Sequence, residues 1–151
     1  MAILSKETVQ LNTPTTNKEA AIRQAGELLV KGGYVTSDYI DGMLAREETM
    51  STYIGNGVAI PHGQFENKES IHKTGISVVQ YPAGVVWDAD EDETAYLVIG
   101  IAATADEHVG ILSNLAEAIE EEESAEELIR ATDPDVIIER LTRPQEVEEE
   151  L

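Results

Sequence analysis

The run TAYLVIGIAA, residues 94–103, constrains the fold more than any other feature of the sequence. A short segment that is apolar at almost every position is typical of a strand buried on both sides of a sheet. Such a strand needs helices on both faces of its sheet, and amphipathic segments lie before and after it in the chain. We therefore predict an α/β fold in which helices flank a central mixed sheet.

The helices are predicted from apolar residues at helical spacing. The first helix begins after Asn17, whose side chain can cap it, and ends at Gly32 and Gly33. A second lies in SDYIDGMLAREE. Three more follow the buried run, in ADEHVGILSNLAEAIEEE, in SAEELIRAT and in DVIIERL. Asp133 can cap the last of these, with Pro134 at its first position.

Three further runs have the composition of strands: TVQL, YIGNGVAIP and TGISVVQYP. A proline ends the second and the third of them, and proline cannot donate to the hydrogen-bond ladder of a sheet. We therefore expect each of these two runs to be one strand that stops at its proline. The acidic run GVVWDADEDE predicts a loop.

The length of 151 residues suits one domain, and neither a linker nor an internal repeat divides the chain. We predict a single domain over residues 1–151, with residues 144–151 as a frayed acidic tail. No apolar run is long enough to span a bilayer, and residues 1–12 lack the features of a signal peptide. We expect a cytoplasmic protein. The absence of cysteine excludes disulfides and cysteine-based zinc sites.

The net charge is −20, and residues 76–151, with 21 acids and three bases, carry −18 of it. This balance argues against nucleic acid and anionic membrane surfaces as partners, because both need a basic face. A disordered acidic tail is one interpretation of the charge, but most of the acidic region keeps helical spacing. The other is adaptation to high intracellular salt, in which surface carboxylates keep a protein soluble. The composition favours this halophilic interpretation.

The segment TYIGNGVAIPHG places His62 directly after a strand-like run and Pro61. Ligands commonly bind at the ends of strands in open α/β sheets. A neutral imidazole is a good nucleophile near neutral pH. Three glycines nearby could present backbone N–H groups to an anion or let a partner's backbone approach: Gly55, Gly57 and Gly63. The alternative is a turn histidine without a chemical role.

Two other residues are candidates for the same cleft. His108 follows the buried strand, near the start of the next helix, where a solvent-exposed position is the alternative. Arg46 lies at the end of a predicted helix, and a guanidinium group there either binds an anion or is a solvated charge. A metal site built from His62, His108 and a carboxylate matches no known ligand spacing, so we predict none.

The segment STYIGNGVAIPHG resembles the phosphorylation-site signature of enzyme IIA of the phosphoenolpyruvate-dependent sugar phosphotransferase system, mannitol/fructose class. The resemblance extends over residues 17–141 and is stronger to the mannitol branch than to the fructose or nitrogen-related branches. It is carried by EAAIRQAGELLVKGGYV, MLAREE, TGISVVQYPAGVVW and LVIGIAATADEHVGILSNLA.

The resemblance implies a phosphocarrier on a single five-stranded mixed sheet flanked by helices. It implies that His62 accepts a phosphoryl group on Nε2 from phospho-HPr and passes it to a cysteine of enzyme IIB, which serves the membrane enzyme IIC. His108 and Arg46 match the other two active-site residues of the family. Pro61 and the backbone of Gly55, Asn56, Gly57 and Gly63 would shape the phosphate site. No cofactor and no metal are required.

Two alternatives to the transport role stay open. A regulatory enzyme IIA would accept the phosphoryl group and control other proteins through its phosphorylation state. A binding module would have lost phosphotransfer altogether, although a chain with His62, Arg46 and His108 all present argues against that. The resemblance implies mannitol or fructose as the sugar, and this chain does not distinguish them because sugar recognition in this family belongs to the membrane component.

Overall fold

The structure is a computed structural model, and it describes residues 4–63, 69–103, 110, 113, 115, 117 and 119–142. The described strands are β1 (Val9–Gln10), β2 (Tyr53–Gly55), β3 (Val58–Ala59), β4 (Gly75–Asp88) and β5 (Glu93–Ala102). A 3-10 helix, Lys6–Thr8, precedes β1. The described helices are α1 (Lys18–Lys31), α2 (Asp38–Thr49), α3 (Glu122–Ile129) and α4 (Pro134–Thr142). The predicted tail, residues 144–151, lies outside the described residues.

The strands form a five-stranded mixed sheet in the order β1-β4-β5-β3-β2. The β1–β4 and β3–β5 pairs are parallel, whereas β4–β5 and β2–β3 are antiparallel. The apolar run predicted to be central forms β5, which pairs on both sides. The predicted fold class is confirmed.

Helices cover both faces of this sheet. Alternate side chains of β5 point to opposite faces, so Val98 packs in one core and Leu97 and Ile99 pack in the other. The first core contains residues of α1 and α2, and the second contains residues of α3 and α4 together with Leu115 and Ile119. This two-sided burial is the reason that residues 94–103 are apolar almost throughout.

The ends of α1 and α4 follow their sequence signals. The Asn17 side chain accepts the N–H of Ala20 at 2.8 Å, and Gly33, with φ of 82°, follows the α1 C-cap. At α4, the Asp133 carboxylate accepts the N–H of Asp135 at 2.9 Å, and Pro134 is the first helical residue. The predicted caps of both helices are confirmed.

Two strand predictions are wrong. YIGNGVAIP is not one strand but the hairpin β2–β3, because Asn56, with φ of 53°, and the two glycines beside it reverse the chain. The second, TGISVVQYP, does not stop at Pro82: β4 continues to Asp88. The register shifts between Gln80 and Val85, which leaves Pro82 outside the ladder of regular pairs.

The acidic run predicted as a loop is therefore mostly strand, and only the turn between β4 and β5 remains of it. None of the helices in the described part of the chain is long and apolar enough to cross a membrane.

Candidate functional site

His62 lies just beyond the end of β3, beside the C-terminal end of β5. It forms a parallel bridge with Ile101, and the Ile101 N–H donates to the Pro61 carbonyl oxygen at 3.0 Å. Only 8% of His62 is exposed, so a partner can reach no more than one edge of the imidazole ring. The structure thus places His62 at a strand end, beside the central strand.

One contact determines which ring nitrogen of His62 carries the proton in the neutral imidazole. Nδ1 lies 2.8 Å from the carbonyl oxygen of Ile60. Because a carbonyl oxygen only accepts hydrogen bonds, Nδ1 carries the proton in this arrangement. The neutral ring then has its lone pair on Nε2. The site therefore favours nucleophilic attack by Nε2.

The backbone around His62 is held by hydrogen bonds from three directions. The N–H of Ile60 donates to the Thr52 carbonyl oxygen at 2.9 Å, which ties the segment to the start of the β2–β3 hairpin. The N–H of Gly63 donates to Tyr39 Oη at 2.9 Å, which ties it to α2. Together with the Ile101–Pro61 bond, these contacts fix the chain on both sides of His62.

The Tyr39 side chain leaves no room for a side chain at residue 63. A Cβ atom at residue 63 would lie 2.6 Å from Cε1 of Tyr39, closer than such atoms approach in proteins. This contact alone explains a glycine at residue 63, and the expected role of Gly63 at the phosphate site stays a prediction. Its missing side chain makes room for the Tyr39 ring.

The turn of Gly55, Asn56 and Gly57 lies away from His62, which corrects the expectation that it shapes the phosphate site. The Gly57 carbonyl accepts N–H groups from Tyr96 and Leu97, whereas His62 pairs with Ile101. Leu97 and Ile101 are four residues apart along β5, which places the turn about 13 Å along the strand from His62.

Asn56 has a structural contact instead. Its side chain donates to the carbonyl oxygens of Ile119 at 2.8 Å and Glu120 at 3.2 Å, next to the start of α3. Pro61 and Gly63 therefore remain the candidates that shape the phosphate site.

Arg46 lies in the last turn of α2, and its side chain is half-buried. Its Nη1 donates to the carbonyl oxygen of Met50 at 2.7 Å. Met50 is two residues before Thr52, whose carbonyl binds the N–H of Ile60. Arg46 thus stabilises the turn that leads to the chain segment beside His62, and its guanidinium group has further N–H donors for an anion.

Glu47 is a buried carboxylate that sequence analysis did not single out. It is 7% exposed, and it accepts hydrogen bonds from the Trp87 indole N–H at 3.0 Å and from the N–H and hydroxyl of Thr52. Lys18 Nζ lies 3.0 Å from it. Glu47 joins α1, α2 and β4 to the same turn that Arg46 contacts. Its spacing of four residues from Met43 and eight from Tyr39, both buried, is a sequence signal that could have found it.

His108 lies outside the described residues. In the sequence it follows Ala102, the last residue of β5, by six positions, and Ala102 directly follows the Ile101 that pairs with His62. Its role stays a prediction.

Comparison with known proteins shows the family of the chain. The family model described as "Phosphoenolpyruvate-dependent sugar phosphotransferase system, EIIA 2" matches residues 2–143. The chain belongs to this family. The mannitol-specific phosphotransferase enzyme IIA component of Bacillus subtilis is 47% identical to this EIIA chain over 138 residues, which are 91% of this chain and 95% of the relative.

Other EIIA relatives are parts of longer proteins. The mannitol-specific EIICBA component of Escherichia coli is 44% identical over 91% of this chain, which covers 22% of that protein. Among solved structures, the crystal structure of IIA mannitol from Escherichia coli has a TM-score of 0.85 and 44% identity, covering 92% of this chain and 99% of its own. The complex of the Escherichia coli mannitol enzyme IIA with phosphorylated enzyme IIB has a TM-score of 0.87, 42% identity, and coverage of 95% and 100%. The type-2 EIIA fold and the phosphotransferase class of this chain follow from these matches.

Proposed function

We propose that this EIIA chain is a phosphocarrier that accepts a phosphoryl group on Nε2 of His62 and passes it to a cysteine of enzyme IIB. The observation that carries the proposal is the 2.8 Å contact between Nδ1 of His62 and the Ile60 carbonyl. It leaves the lone pair on the nitrogen that attacks. The relative solved together with phosphorylated enzyme IIB supports this choice of acceptor.

Each transfer exchanges one bond to phosphorus for another. In the first step the Nε2 lone pair of His62 forms a bond to phosphorus, while the bond to the phosphohistidine nitrogen of HPr breaks and its electron pair returns to HPr. In the second step a thiolate of enzyme IIB attacks phosphorus and the electron pair of the N–P bond returns to Nε2. The proton stays on Nδ1, hydrogen-bonded to the Ile60 carbonyl oxygen, in both steps, so the site needs no general base.

Arg46 and His108 are proposed to offset the charge of the transferring phosphoryl group. A guanidinium fork suits phosphate oxygens because it can donate two parallel hydrogen bonds, which an ammonium group cannot. We expect Arg46→Lys to slow phosphoryl uptake about tenfold or more, from the loss of one charged hydrogen bond. Arg23→Lys, on the exposed surface of α1, is the matched control. Equal rates for the two variants in a single-turnover assay would remove Arg46 from the mechanism.

Mannitol is the sugar we propose for the transport system that this chain serves. Two relatives named as mannitol-specific, from Bacillus subtilis and Escherichia coli, are 47% and 44% identical to it. The nitrogen regulatory protein IIA-Ntr of Neisseria meningitidis, with a TM-score of 0.80, is only 25% identical. The exchange with HPr is proposed to take place in the cytoplasm.

A two-stage relay tests the proposed function. The protein is first phosphorylated with phosphoenolpyruvate, enzyme I and HPr, then purified and mixed with enzyme IIB of a mannitol or a fructose system. We expect one phosphoryl group to be gained in the first stage and lost to the mannitol enzyme IIB in the second. Uptake without delivery to either enzyme IIB would support the regulatory alternative. Absence of uptake, with HPr phosphorylated in the same mixture, would support the binding module.

The net charge of −20 allows a second test in the same relay, the dependence of the transfer rate on salt concentration. An acidic partner is repelled by this charge in dilute buffer, and salt screens the repulsion within a few ångströms at molar concentration. If the carboxylates are an adaptation to high salt, as we propose, transfer is faster in molar salt than in dilute buffer. A rate that is highest in dilute buffer would contradict the adaptation without affecting the phosphocarrier role.

A further inference from the structure

A buried hydroxyl group joins the chain that leaves His62 to the strand beside it. Tyr39 is 3% exposed, and its Oη donates a hydrogen bond to the Ile101 carbonyl oxygen at 2.7 Å. Tyr39 Oη also accepts a hydrogen bond from the N–H of Gly63 at 2.9 Å. Gly63 directly follows His62, and Ile101 pairs with His62. We call Tyr39, Gly63 and Ile101 the Tyr39 bridge.

The Tyr39 bridge completes a closed set of contacts around His62. The N–H of Ile101 binds the residue before His62, at the Pro61 carbonyl, and the Ile101 carbonyl binds the residue after it through Tyr39. A hydroxyl that donates and accepts at once strengthens both of its bonds, because each polarises the other. The peptide bonds on both sides of His62 are thereby held to one strand residue.

Packing and protonation both keep the bridge in place. The Tyr39 ring fills the space that a Cβ atom at Gly63 would need. Burial raises the pKa of Tyr39 to about 12, although the hydrogen bond from Gly63 lowers it. The hydroxyl therefore keeps its proton, and its bond to the Ile101 carbonyl, throughout the pH range in which an imidazole titrates.

We propose that Tyr39 is a positioning residue for phosphoryl transfer. Its hydroxyl holds residues 61–63 in place, so that His62 Nδ1 keeps its hydrogen bond to the Ile60 carbonyl oxygen. The inference rests on the proposed phosphocarrier function. Tyr39 touches neither the phosphoryl group nor a partner in this role. It acts through the backbone, by keeping the lone pair on Nε2 and the ring in one orientation.

Tyr39→Phe removes the hydroxyl and keeps the ring, so packing against Gly63 is preserved. The matched control is Tyr81→Phe, because Tyr81 is also fully buried and its hydroxyl binds Gln24 in α1. Tyr81 lies five residues along β4 from Ile76, the residue that pairs with Ile101. Two readouts are compared. One is the steady-state kinetics of phosphorylation by phospho-HPr. The other is the ¹⁵N spectrum of the unphosphorylated His62 ring, which reports the tautomer without any transfer.

Tyr39→Phe removes both hydrogen bonds of the hydroxyl, and we expect it to lower kcat about tenfold, with KM for phospho-HPr little changed. We also expect its His62 to show a mixture of both neutral tautomers, where the wild type and Tyr81→Phe show Nδ1–H. A kcat equal to that of Tyr81→Phe, or a His62 tautomer unchanged by the substitution, overturns the inference. If the wild type is not phosphorylated at all, the proposed function fails, and the tautomer of Tyr39→Phe still decides the positioning role.

Discussion

His62→Asn is expected to abolish phosphorylation of the protein by phospho-HPr. The asparagine Nδ2 lies at the same bond separation from the backbone as the imidazole Nδ1, so it can still donate to the Ile60 carbonyl. The amide has no nucleophilic nitrogen in place of Nε2, because its lone pair is delocalised into the carbonyl group. The variant thus removes the reacting atom and keeps the contact that holds the residue. Intact mass spectrometry after incubation with phosphoenolpyruvate, enzyme I and HPr measures the result.

The control for this variant is His72→Asn. His72 is exposed, and its backbone N–H binds the Tyr34 carbonyl, so the substitution leaves that contact in place. We expect His72→Asn to gain one phosphoryl group at the wild-type rate. Uptake of a phosphoryl group by His62→Asn would show that another residue is the carrier.

Glu47→Ala is expected to cost about 3 kcal/mol of the free energy of unfolding. The substitution leaves the Trp87 indole N–H and the Thr52 N–H without an acceptor, in residues that are only 3% and 4% exposed. Lys18 loses its carboxylate partner as well, but it is one-third exposed and water replaces part of that interaction. Denaturant unfolding followed by far-UV circular dichroism measures the change.

Glu48→Ala is the matched control, since it makes the same change of charge and helix propensity one residue later on α2, at an exposed position. We expect it to change stability by less than about 0.5 kcal/mol. Equal losses for the two variants would show that the contacts of Glu47 do not stabilise the turn beside Arg46.

The sheet and its two helix-covered faces could be predicted because their signals are local. The apolar run of β5, the Asn17 cap and the Asp133–Pro134 start of α4 are each read from a few neighbouring residues, and each is confirmed. The two strand errors have one cause. Turn-forming residues were taken to end single strands: Pro82 in one run, and the glycines and the proline of YIGNGVAIP in the other. A register shift accommodates Pro82, and the glycines form a hairpin.

The candidate site was predictable in its residue types and less so in its geometry. His62, Pro61 and Gly63 stand at the strand end that the sequence indicated, but the turn around Asn56 lies about 13 Å along the sheet from them. Sequence order alone could not separate the two ends of a strand as short as β3. Tyr39 was not singled out because its two hydrogen bonds are to backbone groups 24 and 62 residues away, which no local pattern reveals.

The central claim is that Nε2 of His62 carries the phosphoryl group, and ¹⁵N NMR of the phosphorylated protein, labelled at its histidine rings, tests it most directly. The structure predicts one phosphorylated imidazole, assigned to His62 by its absence in His62→Asn, with phosphorus on Nε2 and the proton still on Nδ1. Phosphorus on Nδ1 would contradict the account, because the Ile60 carbonyl could not then hold the ring as the structure shows. Phosphorus on another histidine would contradict it as well, because His62 would not be the carrier.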